Sequence, residues 1–170
     1  MVYIDFDGVI LDTEGLLFEE WRKLPNHHLL SEEEKIKYIQ KVDWSHVLKH
    51  SLPINDSLYY LGEMDPNQSF ILTKIHSLEN EGVAKIRWIR EMGIKQSVIL
   101  VPYLLKKTDM VDAKDNILID DCLNNLDDWI ENDGYPILFD MNDDNYDSWN
   151  QLNRKNYPKV FSLSKFRSKS

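Results

Sequence analysis

Short apolar runs alternate along the chain with segments of helical pattern. Five runs of three or four residues contain almost only Val, Ile, Leu, Phe, Tyr and Pro, without polar alternation, as in strands covered on both faces. They lie at residues 2–4, 70–72, 98–101, 117–119 and 136–139, and a sixth candidate lies at 159–161. Strands that alternate with helices predict a parallel sheet in a layered α/β fold.

Two of the helical segments follow the second and fourth runs. The first ends at Gly93, and its helical spacing predicts a buried apolar stripe with Lys85 outside it. This stripe comprises Val83, Ile86, Ile89 and Met92. The second segment reaches Glu131, and we expect Asn125 to cap its start.

Residues 14–63 contain no strand pattern. Helical patterns cover 15–23, 31–49 and 55–63, and Ser31 with Glu34 has the spacing of a capping box. We therefore predict a core formed by 1–13 and 64–170, with 14–63 as a helical insert after the first strand. Loops at the carboxyl ends of parallel strands carry ligand sites, so this insert would cover the site.

Charge and composition narrow the possible partners. The chain has 29 acidic and 20 basic residues, a net charge of −9, which disfavours nucleic acid and anionic membranes as partners. Residues 151–170 carry six of the basic residues and no acidic one. No apolar run approaches the length of a membrane span. The single Cys122 fits a reducing compartment, so we expect a cytoplasmic protein. We expect this protein to be a monomer or a homodimer.

The first run ends in two carboxylates. Asp5 and Asp7 are separated by one residue, so the period of a strand places both side chains on the same side. Close carboxylates repel one another, and hard oxygen ligands favour Mg²⁺ as the compensating ion. Gly8 allows the backbone to turn tightly after them. The structural alternative for this motif is a solvated strand end or turn.

Three further polar elements follow separate runs. Thr73 ends the second run, Lys106 and Lys107 follow the third, and Asp120 with Asp121 ends the fourth. Singly, these residues are typical of a strand end, a solvated loop and a helix cap. Together they would meet at one edge of one sheet.

This ordered set resembles the four motifs of the haloacid dehalogenase-like (HAD) hydrolase superfamily. The motifs extend from residue 5 to 121, and the stretch from Ile117 to Gly134 resembles the 5'-nucleotidase, C-type (deoxyribonucleotidase) branch and its bacterial and phage relatives. The resemblance implies a Rossmann-like three-layer core and a small helical cap of the C1 type at 14–63.

The resemblance also implies roles for individual residues. Asp5 would be the nucleophile that forms an aspartyl-phosphate, and Asp7 would protonate the leaving alcohol and then activate water. Mg²⁺ would be held by the Asp5 carboxylate, the Asp7 carbonyl and Asp120, with Asp121 nearby. The phosphoryl group would be bound by Gly8, Thr73 and Lys107.

Several positions leave alternatives open. Lys106 and Lys114 compete with Lys107 for the phosphate-binding role, and Lys74 is a further candidate for substrate contact. Cys122 stands where related nucleotidases often carry Arg, and beside two carboxylates its thiol should ionise poorly. Aromatic residues of the insert could stack a nucleobase or form the insert's own core. They are Phe18, Trp21 and Trp44.

The resulting hypothesis is a Mg²⁺-dependent hydrolase of small phosphomonoesters, with nucleoside 5'-monophosphates as one substrate class. A phospho-ligand binding or regulatory protein without turnover is an alternative, although the intact Asp5, Asp7 and Asp120 argue against it. Another alternative is a nucleic-acid end-processing phosphatase that binds its substrate through the basic tail. The net negative charge of residues 1–150 argues against it, because it would repel nucleic acid.

Overall fold

The parallel sheet predicted from the sequence is present. A computed structural model describes residues 1–142 and 157–167, within which six parallel strands have the order β3-β2-β1-β4-β5-β6. The strands are β1 (Val2–Ile4), β2 (Ser69–Ile75), β3 (Ser97–Pro102), β4 (Ile117–Asp120), β5 (Tyr135–Phe139) and β6 (Lys159–Val160). Strands β2 and β3 lie on one side of β1, and β4, β5 and β6 lie on the other. Such a switch point, here between β1 and β4, opens a crevice at the carboxyl ends of the strands.

Helices occupy the segments between the strands. In the described part of the chain they are α1 (Thr13–Arg22), α2 (Glu32–Lys41), α3 (Trp44–His50), α4 (Ser57–Glu63), α5 (Val83–Glu91) and α6 (Leu123–Glu131). The predicted capping box is confirmed at α2, because Ser31 Oγ accepts from the Glu34 amide at 3.3 Å and Glu34 Oε2 accepts from the Ser31 amide at 2.7 Å.

The single helix expected over 31–49 is wrong, since α2 and α3 are separate. Val42 is extended at the end of α2. The Asp43 side chain then accepts a hydrogen bond from the His46 amide at 3.0 Å and caps a new helix. The extended Val42 thus ends one helix, and the short acidic side chain of Asp43 starts another.

Apolar side chains cover both faces of the sheet, as the unalternating runs predicted. One face joins Ile4, Ile71 and Ile119 to buried residues of α3 and α5. The other face joins Leu72 and Leu118 to α6, where Trp129 is fully buried. The result is the three-layer α/β arrangement expected from the sequence.

The orientation of α5 differs from the predicted one. Val83, Ile86 and Met92 are 45%, 39% and 46% exposed, whereas Lys85 and Ile89 are fully buried. A lysine is tolerated in a core only when its charge is paired, and buried carboxylates lie beside this one. The helix therefore turns Lys85 inward and leaves much of the apolar stripe in solvent.

The predicted helical insert is helical and adjoins the core. Trp44, Val47 and Leu48 of α3 are buried in the same apolar cluster as Ile4 and Phe6 of the first strand region. Part of 14–63 therefore lies in the helical layer beside α5. Its division from the core at residues 13 and 64 stays a prediction.

Two further expectations concerned membrane-spanning helices and the basic tail. None of the helices within the described residues is long and apolar enough to cross a membrane. In the basic tail, Lys159 lies 2.7 Å from the Asp140 carboxylate. Residues 151–156 and 168–170 of that tail lie outside the described residues.

Candidate active site

The turn after β1 brings two carboxylates to the carboxyl edge of the sheet. Asp5 is 8% exposed, and its Oδ1 accepts a hydrogen bond from the Phe6 amide at 2.8 Å. Phe6 points into the core between the two acids and is fully buried. Asp7 lies close enough for its charge to raise the pKa of Asp5. That the two side chains share one side of the chain, as the strand period predicts, stays a prediction.

Gly8 allows the chain to turn against the second acid pair. Its φ is +72°, a left-handed conformation that favours glycine, and its amide donates to the Leu11 carbonyl at 3.0 Å. A Cβ at this position would lie 2.1 Å from Asp121 Oδ2. The Gly8 backbone therefore approaches Asp121 more closely than a side chain permits.

Lys107 lies between the nucleophile candidate and the fourth-strand acid. Its Nζ is 2.6 Å from Asp120 Oδ2 and 3.0 Å from Asp5 Oδ1. All three side chains are almost completely buried. Although burial lowers the pKa of Lys107, the two carboxylates raise it well above its usual value, so the ammonium is charged.

Asp5, Asp120 and Asp121 form a cluster that can hold a cation. Each offers a carboxylate oxygen, and these atoms lie within 4.8 Å of one another. Burial raises the pKa of Asp5 to about 7 despite Lys107, with Asp120 and Asp7 adding repulsion. Burial and the charges of Asp120 and Asp5 also raise the pKa of Asp121 well above its usual range.

This donor set fits Mg²⁺. It consists of oxygen ligands only, and the mutual repulsion of its carboxylates would be relieved by a divalent cation. Bound there, Mg²⁺ would neutralise part of the negative charge of the three carboxylates. The role of the Asp7 carbonyl as a further ligand stays a prediction.

Asp7 is held by three donors from different elements. Thr13 Oγ1 donates to Asp7 Oδ1 at 2.6 Å, and Lys85 Nζ donates to Asp7 Oδ2 at 2.5 Å. Thr73, predicted as a phosphate-binding residue, lies nearby, with its Oγ1 3.3 Å from the same Oδ2. The structure therefore brings Thr73 to Asp7, from which it is separated along the chain by the whole of the insert.

Lys85 and Glu81 were missed by the sequence reasoning. Their side chains are buried and lie 2.7 Å apart, and Glu81 also accepts from the His76 amide at 2.7 Å. Burial raises the pKa of Glu81, but Lys85 and His76 lower it by more. The net pKa lies below its usual value, so the carboxyl is ionised. The signal was an acid and a lysine at i and i+4, which on a solvent-exposed helix face would form an ordinary surface pair.

Glu14 is another carboxyl that the sequence reasoning left out. It lies in the first turn of α1, and burial raises its pKa to about 7, with Asp7, Asp12 and Asp120 adding negative charge around it. The Asp12 side chain caps this helix by accepting from the Gly15 amide at 3.1 Å. A helix that starts at the site therefore adds one more acid to its rim.

The other lysine candidates have surroundings that differ from those of Lys107. Lys106 pairs with Asp128 on α6 and is 64% exposed. Lys114 is exposed, in a turn where its amide donates to Asp112 at 2.9 Å. Lys74 lines a polar groove of about 230 Å³ between β2, the loop before Lys107 and α6.

The aromatic residues of the insert differ in access to solvent. Phe18 is 43% exposed, and Trp21 packs edge-on against Tyr38 with ring centroids 5.2 Å apart. Trp44 is 2% exposed, and its Nε1 donates to the Ile39 carbonyl at 2.9 Å. Of the two alternatives for Trp44, burial favours packing in the core over stacking on a base, with Lys85 Nζ 5.1 Å from the centre of its ring.

Two residues after Asp121 have functions in the local structure. Asn125 does not cap α6, which begins at Leu123; its Nδ2 donates to Asp120 Oδ2 at 3.0 Å instead. Burial, together with the charge of Asp120, raises the pKa of the Cys122 thiol to about 11. The prediction of a poorly ionising thiol is confirmed.

The switch point of a doubly wound parallel sheet and the carboxylates at its edge define an α/β protein with the HAD fold. No protein-family model and no curated protein matches the sequence. Solved structures do match, and their identities of 10–13% in the cases below mean that they show the fold alone.

Three of these structures cover nearly the whole chain. A haloacid dehalogenase-like family hydrolase from Streptococcus pneumoniae has a TM-score of 0.64 at 10% identity, covering 93% of this chain and 92% of its own. The D,D-heptose 1,7-bisphosphate phosphatase of Burkholderia thailandensis has a TM-score of 0.54 at 13% identity, with coverages of 97% and 94%. YfnB from Bacillus subtilis, bound to magnesium, has a TM-score of 0.55 at 12% identity, with coverages of 96% and 95%.

Proposed function

We propose that the protein is a Mg²⁺-dependent phosphomonoester hydrolase that acts through an aspartyl-phosphate on Asp5. The observation that carries this proposal is the placement of Lys107 between Asp5 and Asp120, with Asp7 two residues from the nucleophile. Fixed positive charge at a carboxylate nucleophile is what transfer of a dianionic phosphoryl group requires. The solved structures with this fold support a hydrolase of the phosphatase type, because one is named as a phosphatase and another as a hydrolase.

In the first half-reaction an oxygen of Asp5 attacks phosphorus and the bond from phosphorus to the leaving oxygen breaks. The Asp7 carboxyl transfers its proton to that leaving oxygen, so that an alcohol departs rather than an alkoxide. Lys107 and the Thr73 hydroxyl bind the phosphoryl oxygens during the transfer. The product on the enzyme is an aspartyl-phosphate.

In the second half-reaction Asp7, now a carboxylate, takes a proton from a water molecule. The water oxygen attacks phosphorus and the bond to Asp5 breaks, which releases inorganic phosphate and restores both aspartates. Splitting the hydrolysis in this way replaces one difficult displacement by two easier ones. Mg²⁺ at Asp5, Asp120 and Asp121 would offset the repulsion between nucleophile and phosphate.

Small phosphorylated metabolites are the substrate class we propose, with nucleoside 5'-monophosphates as one group to test. A polar groove of about 230 Å³ adjoins the site on the side of Lys74 and Asn125, a size suited to a small polar leaving group. The exposed Phe18 and the half-buried Trp21 of α1 are the remaining candidates for contact with a base. We also propose a cytoplasmic location.

The test is release of inorganic phosphate from a panel of alkyl, aryl, sugar and nucleoside monophosphates, with Mg²⁺ and with a chelator. We expect activity that depends on Mg²⁺ and is abolished in Asp5→Asn. Asp133→Asn is the matched control, since Asp133 is exposed and has a φ of +60° that asparagine also tolerates. Wild type that releases phosphate from no substrate would leave the non-catalytic binding protein as the better reading.

A further inference from the structure

Lys85 makes contacts that no other lysine in the described part of the chain makes. Its Nζ lies 2.5 Å from Asp7 Oδ2, 2.7 Å from Glu81 Oε1 and 3.3 Å from Thr73 Oγ1, and it also reaches the Lys74 carbonyl at 3.2 Å. The side chain is fully buried. One ammonium group thus contacts the residues after β1 and the residues at the end of β2.

The surroundings of Lys85 hold it in this position. Glu81 is 1% exposed and reaches it from the π-helical turn Leu78–Gly82, a type of turn that is frequent at functional sites. The rings of Phe6 and Trp44 lie 5.5 Å and 5.1 Å from Nζ. Lys85 has no exposed surface, whereas the side chain of its partner Asp7 is 23% exposed, so Asp7 is the member of this pair that a bound molecule can reach.

Packing alone does not account for a lysine at this place. Its neighbours Ala84 and Ile89 are buried apolar residues, and an apolar side chain at position 85 would continue that layer without removing an ammonium from water. Replacing buried ion pairs by apolar residues of similar volume often leaves stability unchanged or raises it. A role in the site explains why the charge is placed against Asp7.

We propose that Lys85 is a positioning residue that orients the Asp7 carboxyl for proton transfer to the leaving oxygen. Thr13 fixes Asp7 Oδ1 and Lys85 fixes Oδ2, so both oxygens are held and the plane of the carboxyl is set. The Thr73 hydroxyl belongs to the same group, because its Oγ1 accepts from Lys85 Nζ and lies 3.3 Å from Asp7 Oδ2, to which it can donate. This inference rests on the proposed function.

The need for a proton differs between substrates, and this difference supplies the test. An alkyl phosphate releases a basic alkoxide that must be protonated, whereas p-nitrophenyl phosphate releases a stable phenolate without a proton. We expect Lys85→Met to slow the first turnover of an alkyl phosphate roughly tenfold to hundredfold, a part of the ~10²–10⁴-fold that a positioned acid contributes. The first turnover of p-nitrophenyl phosphate should change by less than about threefold, because the acid contributes little there. Rapid-quench measurement of alcohol or phenolate release reports this step alone.

Further variants separate positioning from folding. Glu81→Gln with Lys85→Met also removes the charge of Glu81, the more deeply buried of the two carboxylates that lose Lys85, and it should show the same difference between substrates. Lys85→Gln retains N–H donors for Asp7 and should show a smaller difference than Lys85→Met. Lys95→Met, at an exposed position outside the site, is the control that should behave as wild type.

Thermal unfolding identifies the variants that remain folded. Equal losses on the alkyl and aryl substrates in a folded Lys85 variant, including Lys85→Gln, would overturn the positioning role and indicate a structural one. No release of phosphate by wild type would overturn the proposed function itself. The two failures are distinguishable because failure of the proposed function is seen in the wild-type protein, whereas failure of the positioning role is seen only in the Lys85 variants.

Discussion

The ammonium of Lys107 lies 2.6 Å from the Asp120 carboxylate, and both side chains are buried below the carboxyl edge of the sheet. Lys107 begins the 3₁₀ turn Lys107–Asp109, and Asp120 ends β4. The contact therefore joins this turn to the end of the strand that follows it in the chain. The Asp5 carboxylate lies on the other side of Lys107, at 3.0 Å. One cation thus connects the strand ends that carry the site.

Removing this cation should reduce both stability and activity. In Lys107→Met the buried carboxylates of Asp5 and Asp120 lose their common partner, and breaking a buried pair in this way costs about 3–5 kcal/mol. Urea unfolding should show this loss as a lower midpoint, together with absence of phosphate release. Lys106→Met should lower the midpoint far less, because its pair with Asp128 is largely exposed on the lysine side. Similar midpoints for the two variants would contradict the buried contact.

The stability of the metal-free protein should depend on pH. The pKa of Asp5 rises from 3.8 to about 7, and that of Glu14 rises from 4.5 to about 7. A carboxyl whose pKa is raised on folding favours the folded state at pH below the unfolded value, and this contribution is lost as the pH rises through the folded value.

Melting temperatures measured in a chelator should therefore fall between about pH 4.5 and pH 8. Mg²⁺ binds the ionised carboxylates, so added Mg²⁺ should raise the melting temperature most at the upper end of this range. Asp121→Asn removes one of the clustered acids and should weaken both effects. A metal-free melting temperature that is constant or rises over this range would contradict the raised pKa values.

Substitution of Gly8 should disrupt the metal cluster. In Gly8→Ala the new Cβ would lie 2.1 Å from Asp121 Oδ2, and the φ of +72° adds strain of roughly 1–2 kcal/mol. We expect a lower melting temperature and weaker stabilisation by Mg²⁺.

Gly62→Ala is the matched control for the glycine substitution. Gly62 lies in α4, and an added Cβ there would meet no atom within 4 Å. Alanine in a helix should stabilise the protein by about 0.5–1 kcal/mol. If Gly8→Ala behaved as Gly62→Ala, the close approach to Asp121 would be refuted.

A nucleotide substrate should reveal whether α1 binds a base. Phe18→Ala should raise KM for a nucleoside 5'-monophosphate by about fivefold or more, since stacking on an aromatic side chain contributes about 1–3 kcal/mol per base. Its KM for a small alkyl phosphate should not change. The same comparison applies to Trp21→Ala, whose contact with Tyr38 requires a check of folding. An equal change of KM on both substrates would indicate a structural role for either residue.

The sequence by itself determined the strands and the polar residues that end them. Apolar runs without alternation identified a sheet covered on both faces, and parallel strands necessarily carry their carboxyl ends to one edge. That geometry predicts which polar residues lie at this edge, because each lies in or just after a strand: Asp5, Asp7, Thr73 and Asp120. The capping box at Ser31 was equally local.

Only the tertiary structure decided what the helices and loops contribute. A helical pattern shows that residues share a face, but which face meets the sheet depends on partners distant in sequence. Lys85 is buried because Asp7 and Glu81 are there to pair with it, and Val83 and Ile86 are exposed as a consequence. Helix periodicity records hydrophobicity alone, whereas the folded chain also has to neutralise its buried charges.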